Sequence, residues 1–303
     1  MSHALSPTEL RHPGTADIDD VPILEVLRRI NAEDRTAVDA VADVLPDLAT
    51  VVDAAAARFR RGGSVHYFGA GTSGRLGVLD ASELMPTYNL EPGRVVGHIA
   101  GGREALVRAV EDAEDSAAEG QRDAAGIGPD DVVIGLAASG TTPYVGGALD
   151  AARRAGAYTV LVSSNPGAPL AAGVDTNLVL RTGPEVVTGS TRLKAGTAQK
   201  LVLNSFSTAL MIAVGRTYGN LMVSVVATNA KLRERTVRIL REATDLDEDA
   251  ARFLLERSDG ELKTAIVVAL GDVDPDRARE LLRETGASVR GALAAGRAAE
   301  PGA

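Results

Sequence analysis

Short apolar runs alternate with amphipathic stretches from residue 64 onward, and that alternation predicts the architecture. "SVHYFG" (64–69), "RVVGHIA" (94–100), "DDVVIGLAAS" (130–139), "YTVLVSS" (158–164) and "TNLVLRT" (176–182) read as strands. Helical spacing fills the gaps, from about Ser73 to Pro86, over 103–120 and over 143–156. Apolar strands separated by helices predict an α/β fold: a doubly wound parallel sheet with helices on both faces. Before the sheet, 21–60 carries helical spacing with an interruption near Glu33–Asp34 and a proline at Pro46; after it, 195–245 reads as helical. The tail holds a weak repeat, "ARFLLERSDGELKTAI" (251–266) against "ARELLRETGASVRGAL" (278–293), each a helix, a turn with Gly260 or Gly286, and a second short helix. The expected organisation is a polar arm over 1–20, a main domain over 21–245, and a small helical C-terminal bundle over 246–303 that frays in its last ten residues.

Composition narrows the function classes. The chain of 303 residues is 45% hydrophobic but only 3% aromatic, with no Trp, which disfavours base-stacking platforms. A net charge of −9 disfavours nucleic-acid binding, which needs a basic face. A phosphorylated small molecule stays open, because a local loop can bind an anion inside an acidic protein. No Cys is present, so disulfides, thiolate metal sites and cysteine nucleophiles are excluded. Four His, two of them in the first dozen residues, leave little material for a zinc site or a His-based triad. No run approaches membrane-spanning length, and the opening "MSHALSPTELRHPGT" reads as a polar arm rather than a signal peptide, so a cytoplasmic protein is expected.

Two loops follow strands and lead into helices: "GAGTSG" (69–74) and "AASGTTP" (137–143). Such turns aim unpaired backbone N–H groups and the positive end of a helix dipole at one point. Gly71, Thr72 and Ser73 in the first loop, and Ser139, Gly140, Thr141 and Thr142 in the second, are the candidate phosphate ligands. The alternative is that both loops are ordinary caps and tight turns. Neither carries the Gly-Lys-Ser/Thr of a Walker loop, and the G-x-G-x-x-G match lacks the acid expected about 20 residues on, where the strand ends in His98 instead. A lone strand-end His is read as structural.

Periodicity selects one acid from each of two helices. Leu76, Leu79 and Glu83 share a face, as do Leu106, Val110 and Glu114, whereas Glu111, Asp112 and Asp115 point elsewhere. Burial on an apolar stripe raises a carboxyl pKa, which suits a proton donor. The competing reading places each Glu at the edge of its stripe, reaching water or pairing with an Arg. Arg192 and Lys194, in the polar loop "TGSTRLKAGTAQK", serve either substrate phosphate or a helix-start cluster; Ser190 and Thr191 beside them could close over a ligand.

Taken in order, "GAGTSGRLGVLDASE" (69–83), "IAGG" (99–102), "VEDAEDS" (110–116), "LAASGTTPYVGGALDAA" (136–152), "SSNPGAPL" (163–170), "GPEVVTGSTRLKAGTAQKLVLN" (183–204), "GRTYGNLMV" (215–223) and "ATNAKLRERTVRIL" (227–240) resemble the N-acetylmuramic acid 6-phosphate etherase family. "RRINAEDRTAV" (28–38) fits as well, so the resemblance spans nearly the whole chain. It implies a sugar isomerase (SIS) domain and cleavage of the D-lactyl ether of a phosphosugar. It also implies a homodimer with a shared site, and no metal or organic cofactor. By position Glu83 resembles the family's proton donor, and Glu114 its second catalytic acid. On a helix starting near Ser73, Glu83 lies about 15 Å along the axis, farther than a hexose phosphate is from its own C3. Either the helix starts later, or Glu83 serves a pocket completed by a second subunit.

The chain departs from the family pattern at Thr141, where Arg is expected, at Leu84, where a small residue or Cys is common, and at His12, where Asn is common. Two rival functions share the SIS domain. One is a phosphosugar-binding regulator like the glucokinase regulatory proteins, which are longer and carry two such domains; the other is an aldose–ketose isomerase.

Overall fold

The computed structural model describes residues 5–225 and 230–299. Residues 227–229 of the "ATNAKLRERTVRIL" motif, the first four of the arm and the last four of the tail lie outside them. The chain divides into two compact units. One comprises the residues up to Ser82 with Gly93–Ser207; the other comprises Glu83–Pro92 with the residues from Thr208 onward.

The first unit is built on five parallel strands, β1 (Val65–Gly69), β2 (Val95–Ile99), β3 (Val132–Leu136), β4 (Tyr158–Ser163) and β5 (Thr176–Val179), ordered β2-β1-β3-β4-β5. All five residues of β3 are buried, as a central parallel strand covered on both faces requires. The expected doubly wound parallel sheet is thus present. Gly69 pairs in register with Leu136, so the loops after β1 and β3 leave the sheet side by side. The order reverses between these two strands, and in doubly wound sheets that switch point is where ligands bind.

Three expectations are corrected. The first helix, α1 (Ile23–Ala42), runs straight through Glu33–Asp34, neither of which breaks a helix. The break falls at Asp43–Val44, because Pro46 near the start of α2 (Leu45–Arg60) suits a first turn and not an interior. Residues 103–120 do not form one helix: 3₁₀ turns cover Gly102–Leu106 and Ala113–Asp115, and an α-helix, α4 (Ala117–Asp123), starts only after the Ser116 cap. Asp112 sits in the left-handed region at φ +59°, which ends any helix, and Arg75 donates to the carbonyls of Leu106 (3.1 Å) and Arg108 (3.0 Å) in the irregular stretch before it. The region 195–245 holds α6 (Lys194–Ala213), then a two-stranded hairpin of β6 (Thr217–Tyr218) and β7 (Leu221–Met222), then α7 (Ala230–Thr244). The hairpin turns on Gly219 at φ +54° followed by Asn220.

Between β1 and β2 runs α3 (Gly71–Tyr88), and α5 (Pro143–Arg154) follows β3. Small residues set the approach of α3 to the sheet. A Cβ on Gly74 would lie 2.6 Å from the Gly69 carbonyl, and one on Gly77 2.9 Å from the Tyr67 side chain. The face of α3 turned to the strands is therefore glycine, and Leu79 on the other side is half exposed.

In the second unit the two tail copies fold as helix–turn–helix pairs, α8 (Glu248–Arg257) with α9 (Leu262–Gly271), and α10 (Pro275–Glu284) with α11 (Val289–Ala299). Asp247 and Asp274 cap α8 and α10 by accepting from Ala250 and Arg277 N–H. Leu254, Leu255, Ile266, Leu281 and Leu293 belong to a core of their own, separate from that around the sheet. No helix among the described residues is long and apolar enough to cross a membrane.

Candidate active site

At the carboxyl edge of β1, Gly71 adopts φ +52° in open space, a conformation that favours glycine, and Ser73 follows on the first turn of α3. Ser73 Oγ donates to Gln199 Oε1 at 2.8 Å, so α6 is tied to this loop. The tie recurs one residue earlier, where a Cβ built on Gly196 would lie 3.5 Å from Thr72 Cγ2. Beside it, the loop after β3 turns at Gly140 (φ +66°), packed so closely on Ala168 that a Cβ would sit 2.3 Å from its methyl. Ser139 and Thr141 hydroxyls bond to each other (2.8 Å), Asn165 donates to the Ser139 carbonyl (2.9 Å), and Thr142 starts α5 without making a side-chain cap bond.

Glu114 is exposed on its 3₁₀ turn, so the helical face used to select it does not exist. The structure nevertheless brings it to the first loop. A cavity of about 220 Å³ is lined by Glu114 together with Ala70, Gly71, Arg75 and Arg108. Glu83 is also exposed, not buried on an apolar stripe as expected, because the stripe of Leu76 and Leu79 is not the face turned to the sheet. The possibility of a later helix start is removed: α3 begins at Gly71, which places Glu83 about 18 Å along its axis.

Lys194 is buried, and its Nζ lies 2.6 Å from Glu33 Oε2, which also meets His12 Nε2 at 3.1 Å. The Lys194 ammonium holds the Glu33 carboxyl below its ordinary value of 4.5. The backbone N–H groups of Lys194 and Ala195 are taken by the fully buried Glu185 carboxylate at 3.0 and 2.9 Å, which closes the start of α6. Ser190, half-buried, lies in the turn before this start, where its carbonyl accepts from Leu193 N–H.

His98 stacks on Phe68 at 4.2 Å and meets His66 at 3.1 Å; burial pushes its pKa down to about 4, so it is neutral and structural. The acid on α3 that burial does raise is Asp80, to about 6, despite accepting from Tyr67 and Ser207 hydroxyls. Sequence reasoning missed Glu33, Asp80, Glu185 and Gln199. Gln199 lies in the quoted "TGSTRLKAGTAQK", where only the charged residues drew attention.

Residues 47–153 match the family model described as the glucokinase regulatory protein N-terminal SIS domain. The N-acetylmuramic acid 6-phosphate etherase of Thermobifida fusca (strain YX) is 56% identical over 265 residues, 88% of this chain and 87% of that protein. The etherases of Aeromonas hydrophila subsp. hydrophila and Streptomyces coelicolor are each 52% identical. The first covers 92% of this chain and 94% of its own, the second 95% and 93%. With half its residues shared over nearly its whole length, the chain belongs to the N-acetylmuramic acid 6-phosphate etherase family.

Proposed function

We propose that this chain cleaves the D-lactyl ether of N-acetylmuramic acid 6-phosphate, giving N-acetylglucosamine 6-phosphate and D-lactate. The observation that carries the reading onto particular residues is the cavity shared by Glu114 and the Gly71 loop. In the open sugar the C1 aldehyde acidifies the C2 proton, and a carboxylate removes it. The C3–O bond then breaks as an acid protonates the ether oxygen, releasing lactate. Water returns a hydroxyl to C3 and a proton to C2, so one water is consumed per ether cleaved. Gly71, Thr72 and Ser73, with Ser139, Gly140, Thr141 and Thr142, hold the phosphate at the β1/β3 switch point. Glu114 is the C2 base and Glu83 the donor to the leaving oxygen. Lys194 acts here by seating α6 through Glu33, and Ser190 covers the sugar.

The working form is a homodimer in which Glu83 serves the partner's phosphate loop. Supporting this, α3 bears Leu79 and Met85 about half exposed beside Glu83, an apolar surface of the kind that a second copy covers. On this reading the tail pairs over 246–303 form a helical module together with α7, whose Val237, Ile239 and Leu240 share their core, and the protein works in the cytoplasm. D-lactate release from N-acetylmuramic acid 6-phosphate by purified protein, with EDTA present, tests the function. Binding of the phosphosugar without lactate release would instead favour a regulator of the glucokinase regulatory type.

A further inference from the structure

Gln199 is 1% exposed and sits in the second turn of α6. Its Oε1 accepts the Ser73 hydroxyl, while its Nε2 is fully buried with no hydrogen-bond partner. A buried unpaired amide N–H is a costly arrangement that a packed interior rarely keeps without a use. The same geometry raises a question about Ser73. A serine has one O–H, and here Gln199 holds it, so Ser73 in this state has no proton to offer an anion.

Rotating the Gln199 amide by half a turn resolves both points at once. Nε2 then donates to Ser73 Oγ, the orphaned donor is satisfied, and the Ser73 proton is free to point out of the loop. The atom left without a partner becomes a carbonyl oxygen, which is tolerated better than an orphaned N–H. Because Nε2 is sealed from solvent, Gln199 cannot touch a ligand itself. We propose that Gln199 is a positioning residue for Ser73: with its amide NH2 donating to Ser73 Oγ, the serine's own proton is directed to a phosphate monoester in the loop. The inference rests on the phosphate role given to Ser73 above.

The test is a double-mutant cycle read by D-lactate release and by inhibition with inorganic phosphate. Ser73→Ala is expected to raise KM and the phosphate inhibition constant about 10- to 100-fold, the range of a hydrogen bond to a charged group. Gln199→Met, close in volume, is expected to raise both about 5- to 10-fold with kcat within about twofold, and to add nothing in the Ser73→Ala background. Gln199→Leu, which likewise removes both hydrogen-bonding groups, is expected to match Gln199→Met and serves should that variant fail to fold. A Gln199→Met effect that persists in full without the serine hydroxyl, or that falls on kcat alone, overturns the inference. So does a raised KM in Ser73→Ala with both Gln199 variants unmoved. If Ser73→Ala itself leaves KM unchanged, the phosphate role of the loop has failed, and the inference falls with it.

Discussion

Replacing Glu33 by Ala strands the Lys194 ammonium. Lys194 is 2% exposed, and Glu33 Oε2 is its partner at 2.6 Å. Removing one member of a buried ion pair typically destabilises by about 3–5 kcal/mol. At about 2–4 °C per kcal/mol for a unit of this size, the melting temperature should fall by at least roughly 6 °C. Lys194→Met is expected to cost much less, because Glu33 retains His12 and a quarter of its surface in water. The double variant should then recover most of the loss. The pair also dictates an acid dependence. Glu33 has its folded pKa below 4.5, so its contribution is complete above that value and disappears as pH falls through the lower folded one. Melts of parent and Glu33→Ala at pH 7.5 should therefore differ widely, and should draw together as pH falls below 4.5. A Glu33→Ala melt within about 2 °C of the parent at pH 7.5 would refute the reasoning, since an uncompensated buried charge could not be that cheap.

Other variants probe the site more directly. Glu114→Gln should lower lactate release by about 10²–10⁴-fold, the range for a general base, with an unchanged melting temperature because the side chain is exposed. Glu83→Gln should abolish lactate release while the phosphosugar still binds in calorimetry; retained turnover would remove it from the reaction. Gly74→Ala forces a methyl to 2.6 Å from the Gly69 carbonyl and from Ile99 Cγ1, which should destabilise by about 1–3 kcal/mol and raise KM by displacing the loop. Asp80 has a folded pKa of about 6, above its ordinary 3.8, so its ionisation should weaken the parent as pH rises through that window. Denaturant melts at pH 5 and 8 should show this slope in the parent and a flatter one in Asp80→Asn.

Much of this was legible from hydrophobic spacing, and the failures share a cause. The five strands and their parallel order follow from short apolar runs, since a covered strand needs no alternation to be seen. The spacing of Leu76 and Leu79 marks a face that includes Glu83, yet α3 packs through Gly74 and Gly77, which leave no mark in a hydrophobic pattern. The helix that selects Glu114 does not form: Asp112 sits at φ +59°, and the Leu106 and Arg108 carbonyls accept from Arg75, more than thirty residues away. Long-range polar partners of this kind have no local signature. Gln199 and Glu185 were invisible for the same reason: each matters through one or two hydrogen bonds that only the fold creates. The hairpin was a different failure, because Gly219–Asn220 is a turn signal open to reading but overlooked between two helices.

The carboxylate of Glu185 at the head of α6 bears on how an acidic protein attracts an anion at all. By occupying the Lys194 and Ala195 N–H groups with its own negative charge, it makes that helix electrically silent toward a ligand. Asp247 and Asp274 do the same for α8 and α10 in the other unit. The helices that start beside the two loops are treated otherwise: α3 and α5 carry no acid in their first turns. Against a net charge of −9, these two helix starts open side by side at one edge of the sheet. On the proposed reading, part of the pull on a phosphate comes from the backbone itself, at two helix starts whose own first turns carry no acid to cancel it.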